Sequence, residues 1–126
     1  FELIKDKEIK ATIKSVLGTF VKSGRPNQAS AFFLKAINSL SENAVFGCVL
    51  PSSIFTLDIY NSLRNHISEI SNFKIIGKLG NYVFEDALTD VSIIVGIKNR
   101  INFPPKLIWT KNEKGVAQEA LRELRK

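Results

Sequence analysis

Two apolar runs, Phe73–Leu79 and Val91–Ile97, constrain this chain more than anything else in it. Both read as β-strands, and only the polar, acidic stretch Gly80–Asp90 separates them. Parallel neighbours need a crossover of a dozen or more residues, normally built on a helix, so these two strands must be antiparallel if they pair. A third run, Ala44–Leu50, is continuously apolar instead of alternating, which suits a strand covered on both faces of an α/β sheet. It stops at Pro51-Ser52-Ser53. Proline cannot donate to a ladder and serine caps helices, so the chain is expected to leave the strand's carboxyl end through a short turn into a helix.

Around these strands the apolar period changes to that of a helix. Ile9, Ile13, Val16, Leu17 and Phe20 recur every three or four residues and predict a helix over Lys5–Leu17. Gly24-Arg25-Pro26-Asn27 breaks it, and Asn27 is placed to cap a second helix, Gln28–Leu40, that buries Ala29, Phe33, Ala36, Ile37 and Leu40. A third helix is predicted over Ile54–Glu69 from the stripe Phe55, Ile59, Leu63, Ile67. After the last strand come Lys106–Trp109 and a short amphipathic helix, Val116–Leu124. The expected fold is therefore α/β: a three-stranded mixed sheet, its last strand antiparallel, flanked by helices. That is half of a nucleotide-binding type of sheet. Phe103-Pro104-Pro105 marks a boundary, giving one unit over residues 1–101 and a linker leading into a following region over 102–126.

Composition narrows the class without choosing a function. With 44% apolar and 24% charged residues the chain is neither of disordered nor of membrane type. No apolar run approaches the ~18–20 residues of a transmembrane helix and no secretory leader opens the chain, so the cytoplasm is the expected address. The chain starts inside an apparently structured segment and contains no methionine, which suggests a piece of a longer protein. Cys48, the sole cysteine, lies in an apolar run and is expected to be a buried packing residue. The net charge of +6 is concentrated at the two ends, with an acidic middle. Lys22, Arg25, Arg64, Lys98, Arg100 and Lys111 are candidate contacts to nucleic-acid phosphates, although each alone reads as an ordinary exposed cation. His66 belongs to a solvated helix face and has no second histidine or cysteine pair with which to share a metal. Glu85, Asp86 and Asp90 form an acidic turn without calcium-loop spacing. Ser52 and Ser53 lack a Gly-x-Ser-x-Gly elbow and read as helix caps.

Three stretches, in order, resemble the amino-adenine DNA methyltransferases of restriction–modification systems. Gly24-Arg25-Pro26-Asn27 with Ala31-Phe32-Phe33-Leu34-Lys35-Ala36 is similar to the helix after their catalytic loop. Ala44–Leu50, Pro51-Ser52-Ser53-Ile54-Phe55 and Tyr60-Asn61-Ser62-Leu63-Arg64 resemble their fifth strand and the next helix. Leu79-Gly80, Val83-Phe84-Glu85-Asp86-Ala87 and Thr89–Ile94 resemble their sixth strand, base-contacting loop and seventh strand. The resemblance covers roughly residues 24–98. It implies that the third strand runs antiparallel and inserts between the other two. It also implies methyl transfer from S-adenosylmethionine to the exocyclic amine of adenine in DNA. Because the target base must leave the stack, it needs a surface to replace its lost contacts. The matching aromatic is Phe84, or Tyr82 if the register differs by two; the alternative is that Phe84 folds back to pin its loop.

The resemblance also shows what the sequence lacks. No two glycines form the Gly-x-Gly turn of the cofactor site. Asn102-Phe103-Pro104-Pro105-Lys106 is superficially similar to the Asn/Asp-Pro-Pro-aromatic catalytic loop, but its aromatic precedes the prolines and the segment follows the strands. We read it as a linker toward a target-recognition region. The 126 residues alone are thus expected to be inactive and to hold no cofactor. Their expected partners are DNA, the N-terminal half of the catalytic domain and, through the open edge of the Ala44–Leu50 strand, a second copy unless the Lys5–Leu17 helix covers it. The competing class is a non-catalytic α/β module that binds protein or nucleic acid through its basic ends.

Overall fold

The computed structural model describes residues 7–21, 24, 26–84, 89–101 and 104–124. Helix α1 (Lys7–Leu17) runs into a 3-10 turn at Gly18–Phe20, and α2 spans Gln28–Ser39. Strand β1 (Val45–Pro51) leads into a short α3 (Ser53–Thr56), a 3-10 turn at Asp58–Tyr60 and α4 (Asn61–Ile70). Strands β2 (Asn72–Gly80), β3 (Val91–Ile97) and β4 (Lys106–Trp109) follow, then α5 (Val116–Leu124). Asn27 starts α2 as its sequence position predicts: its side-chain oxygen accepts from the Ser30 amide at 2.8 Å.

The sheet order is β1-β3-β2-β4. Strand β3 is antiparallel to both neighbours and sits between them, pairing Val45 with Ile97 on one side and Asn72 with Ile97 on the other. The close approach of these strands requires Gly96. A Cβ there would stand 2.7 Å from Phe46 Cζ and 2.8 Å from the Asn72 carbonyl oxygen. The sheet has four strands, not the three expected. Lys106–Trp109, anticipated as part of a linker and tail, pairs in parallel with Ile75–Lys78. Four residues after a Pro-Pro step carry too short an apolar pattern to announce a strand; pairing with β2 decides it.

Helices α1, α2 and α4 cover one face of the sheet, where Leu17, Phe33, Leu34, Ile37, Leu63 and Ile67 close on Phe46, Leu50 and Ile94. On the other face α5 packs through Ala117 and Leu121 against Leu79, Val91, Ile93 and Ile108. This second cover stops short of β1. Val45 and Val49 remain 71% and 55% exposed, so β1 is covered on one face only, contrary to the expectation from its apolar run. Its outer edge pairs with no strand among the described residues, and α1 packs on α2. Cys48 is half-buried beside the core, and burial raises its thiol pKa, which keeps it a protonated packing group at neutral pH.

The third helix is broken where a continuous Ile54–Glu69 helix was expected. Leu57 is extended (φ −83°, ψ 139°). Arg64 accounts for the break: its Nη1 donates to the carbonyls of Ile54 (2.7 Å) and Leu57 (2.9 Å), and Nη2 donates to Asn61 Oδ1. These bonds satisfy carbonyls that a continuous helix would have paired internally. Among the described residues no helix is long and apolar enough to cross a membrane.

Candidate functional site at the carboxyl rim of the sheet

Because β1, β2 and β4 run parallel, Pro51, Gly80 and Trp109 end at one rim, where β3 begins at Val91. Open α/β sheets bind ligands outside the carboxyl ends of their strands. Three connections meet at this rim: the Ser52 turn, the loop from Asn81 and the turn around Asn112.

The loop is anchored at both ends. At its far end Ser52 Oγ donates to Asp90 Oδ1 at 2.8 Å and shares a 2.7 Å hydrogen bond with Ser92 Oγ, while the Ser52 amide donates to the Asp90 carbonyl. Ser52 and Ser92 are both buried. The capping role expected for Ser52 is not made, since its hydroxyl is already committed to β3 and Asp90. Ser53 Oγ instead accepts from Asn27 Nδ2 at 3.3 Å, which ties the start of α2 to the same turn. At the near end Gly80 takes φ +77°, and the Asn81 amide donates to Asn112 Oδ1 at 2.8 Å. A Cβ on Gly80 would lie 2.6 Å from that oxygen. Gln118 on α5 then donates from Nε2 to the Tyr82 and Val83 carbonyls, at 2.6 and 3.1 Å. Both amide hydrogens are used, so the orientation of the amide is fixed, and Oε1 is buried with no partner among the described residues.

Val83 packs inward against the α5 cluster, whereas Phe84 is 48% exposed and Tyr82 37% exposed. The loop is therefore pinned by the backbone of Tyr82 and Val83 and by the Val83 side chain, leaving the Phe84 ring half in solvent. Glu85–Leu88, with the acidic Glu85 and Asp86, lie outside the described residues, while Asp90 is the Ser52 partner.

Among the described residues the candidate cations are not gathered into one patch. Lys22 and Arg25 lie outside the described residues. Arg64 is occupied by backbone carbonyls, as is Lys98, whose Nζ donates to the carbonyls of Asn38 (3.0 Å) and Leu40 (2.7 Å) at the end of α2. Arg100 and Lys111 are exposed. His66 is half-buried, its ring 4.4 Å from that of Phe20 and its Nε2 3.4 Å from Asn38 Oδ1, so it packs in part and faces solvent in part. It lines a shallow cleft with Arg100 and the end of α4, at the opposite end of the sheet from Phe84. Among the described residues no His, Cys, Asp or Glu group could hold a metal. Gln118, Asn112 and Ser92 escaped sequence reasoning because each acts through a partner more than thirty positions away. No local pattern marks them.

No family profile and no curated sequence matches the chain. A solved structure from Listeria monocytogenes, assigned provisionally as a class I S-adenosylmethionine-dependent methyltransferase, superposes with a TM-score of 0.58 at 13% identity, over 82% of this chain and 33% of that one. The chain carries a methyltransferase-like fold. It spans about a third of the length of that relative in fold. Identity at this level speaks for architecture alone. Within the methyltransferase-like fold, the rim bearing Phe84 is the carboxyl side on which open α/β sheets accept ligands.

Proposed function

We propose that the chain is the C-terminal part of the catalytic domain of an adenine-specific DNA methyltransferase of a restriction–modification system. In this reading Phe84 stacks on the adenine extruded from the duplex. The observation that carries it is the half-exposed Phe84 ring on a loop tethered at both ends, immediately before an antiparallel strand inserted between two parallel ones. A base leaving the duplex loses its stacking, and an aromatic face restores ~1–3 kcal/mol of it. Anchoring the Tyr82 and Val83 backbone positions the ring before binding, which lowers the ordering cost of the contact. Exposed Lys111, just past the end of β4 at the same rim, is the phosphate contact in this proposal, since Arg100 lies at the opposite end of the sheet and Arg64 and Lys98 already hold carbonyls.

The residues present do not fit the cofactor. The strand-to-helix turn after β1 is Pro51-Ser52, with the serine hydroxyl directed into the Asp90–Ser92 cluster, so no glycine turn there lets backbone amides approach a ligand. S-adenosylmethionine would have to be held by an N-terminal half of the domain, in the longer protein to which this reading assigns the chain. The free edge of β1 and the exposed Val45 and Val49 suit a strand and helix from such a half.

The test uses that longer protein. Methyl transfer to adenine in duplex DNA is expected, with 2-aminopurine at the target position brightening on binding. Phe84→Ala should weaken binding of that duplex by about ten-fold or more while leaving S-adenosylmethionine binding unchanged. Transfer to a non-nucleic-acid substrate, or undiminished DNA affinity in Phe84→Ala, would refute the reading.

A further inference from the structure

Trp109 is 81% exposed and Leu107, which points the same way two residues earlier on β4, is 73% exposed. The Lys78 ammonium lies 5.1 Å from the centre of the indole ring, across the β2–β4 pair. Lys111 follows, also exposed. Neither the resemblance nor the Phe84 reading uses Trp109, Leu107 or Lys78.

An indole this open beside exposed Leu107 offers apolar surface that a partner can cover. The cores of protein–protein interfaces are depleted in lysine, whereas here an ammonium is seated on the ring itself. A basic group combined with an exposed aromatic face is what single-stranded nucleic acid selects: the ring stacks on a base and the ammonium meets the adjacent phosphate. An intact duplex offers no base faces at its sides, which disfavours it as the occupant. The position agrees, because Trp109 ends β4 at the same rim as Gly80 and the Phe84 loop. Thr110 holds the strand end there, its amide and Oγ1 donating to the Lys78 carbonyl and Oγ1 also to that of Leu79.

We propose that Trp109 and Lys78 form a nucleobase-stacking site for single-stranded nucleic acid at the outer edge of the sheet. The site is separate from Phe84 and independent of methyl transfer. Trp109 is the only tryptophan in the chain, so its emission reports on the site directly.

The experiment titrates the 126-residue chain with an oligothymidylate and follows tryptophan emission, with the anisotropy of a labelled oligonucleotide as the second readout. Saturable quenching that weakens with added salt is expected. Trp109→Ala should reduce affinity about ten- to a hundred-fold, and Trp109→Phe should retain most of it. Unchanged emission, or wild-type affinity in Trp109→Ala, would overturn the proposal. Equal quenching by heparin would reduce the site to charge alone and overturn it too. So would a blue shift that depends only on protein concentration, because a second copy would then be what covers the indole. Phe84→Ala separates this site from the base-flipping reading: the quenching should survive it whether or not that reading holds.

Discussion

Ser52 shows how one side chain can decide where a loop begins. Its hydroxyl meets Asp90 and Ser92 in the interior, joining the carboxyl end of β1 to the start of β3 and so fixing one foot of the loop that carries Phe84. Replacing it by alanine leaves the buried Ser92 hydroxyl without its partner, at a cost of ~1–3 kcal/mol. Urea unfolding of Ser52→Ala should show that loss, and Ser52→Ala/Ser92→Ala should cost less than the sum of the two single changes. Strict additivity would mean that the pair does not interact. The sequence suggested a cap at this position because serine after a strand and before a helix usually serves as one. It could not indicate that β3 brings two better partners to the same hydroxyl. Asn27 is the opposite case: its cap partner, Ser30, is three residues away, and both the helix start and its reason were legible.

At the scale of elements, whatever depended on local period was readable and whatever depended on distant partners was not. Helix α5 runs over Val116–Leu124 as its amphipathic pattern predicts, and β3 over Val91–Ile97 as its apolar run does. The antiparallel pairing followed from the short connection. The break at Leu57 did not, because the stripe Phe55, Ile59, Leu63, Ile67 continues through it and only the Arg64 guanidinium makes an extended residue tolerable there. The apolar run of β1 promised two covered faces but could not say which helices would arrive. The insertion of β3 is also where the sheet is least tolerant. Gly96→Ala would press a methyl group against both the Phe46 ring and the Asn72 carbonyl, and backbone cannot move aside as a side chain can. Overpacking of this kind costs ~1–3 kcal/mol or more. The thermal midpoint should fall accordingly, and Phe46→Leu in the same background should recover only part of it, since the carbonyl contact remains.

For the whole molecule the asymmetry of the two sheet faces matters most. One face is covered by three helices but left open over β4, where Leu107 and Trp109 are exposed, while the other is covered by α5 and open over β1. An open edge beside exposed valines invites strand pairing with another chain. The isolated chain should therefore associate with itself as concentration rises, and Val45→Lys/Val49→Lys should return it to a monomer, as measured by sedimentation equilibrium. A monomer at all concentrations without those changes would contradict the expectation. The candidate site was legible in part: the Phe84 loop came from the resemblance, but nothing local in the sequence revealed the clamps that hold it.

One of those clamps reverses the usual direction of dependence along a chain. The stance of the Phe84 loop is set in part by Gln118, an amide more than thirty residues further along the chain, on the helix that follows β4. The backbone beside the aromatic tip therefore depends on the docking of α5 for its posture. The geometry of the rim is thus borrowed from a segment whose own sequence shows no sign of the task.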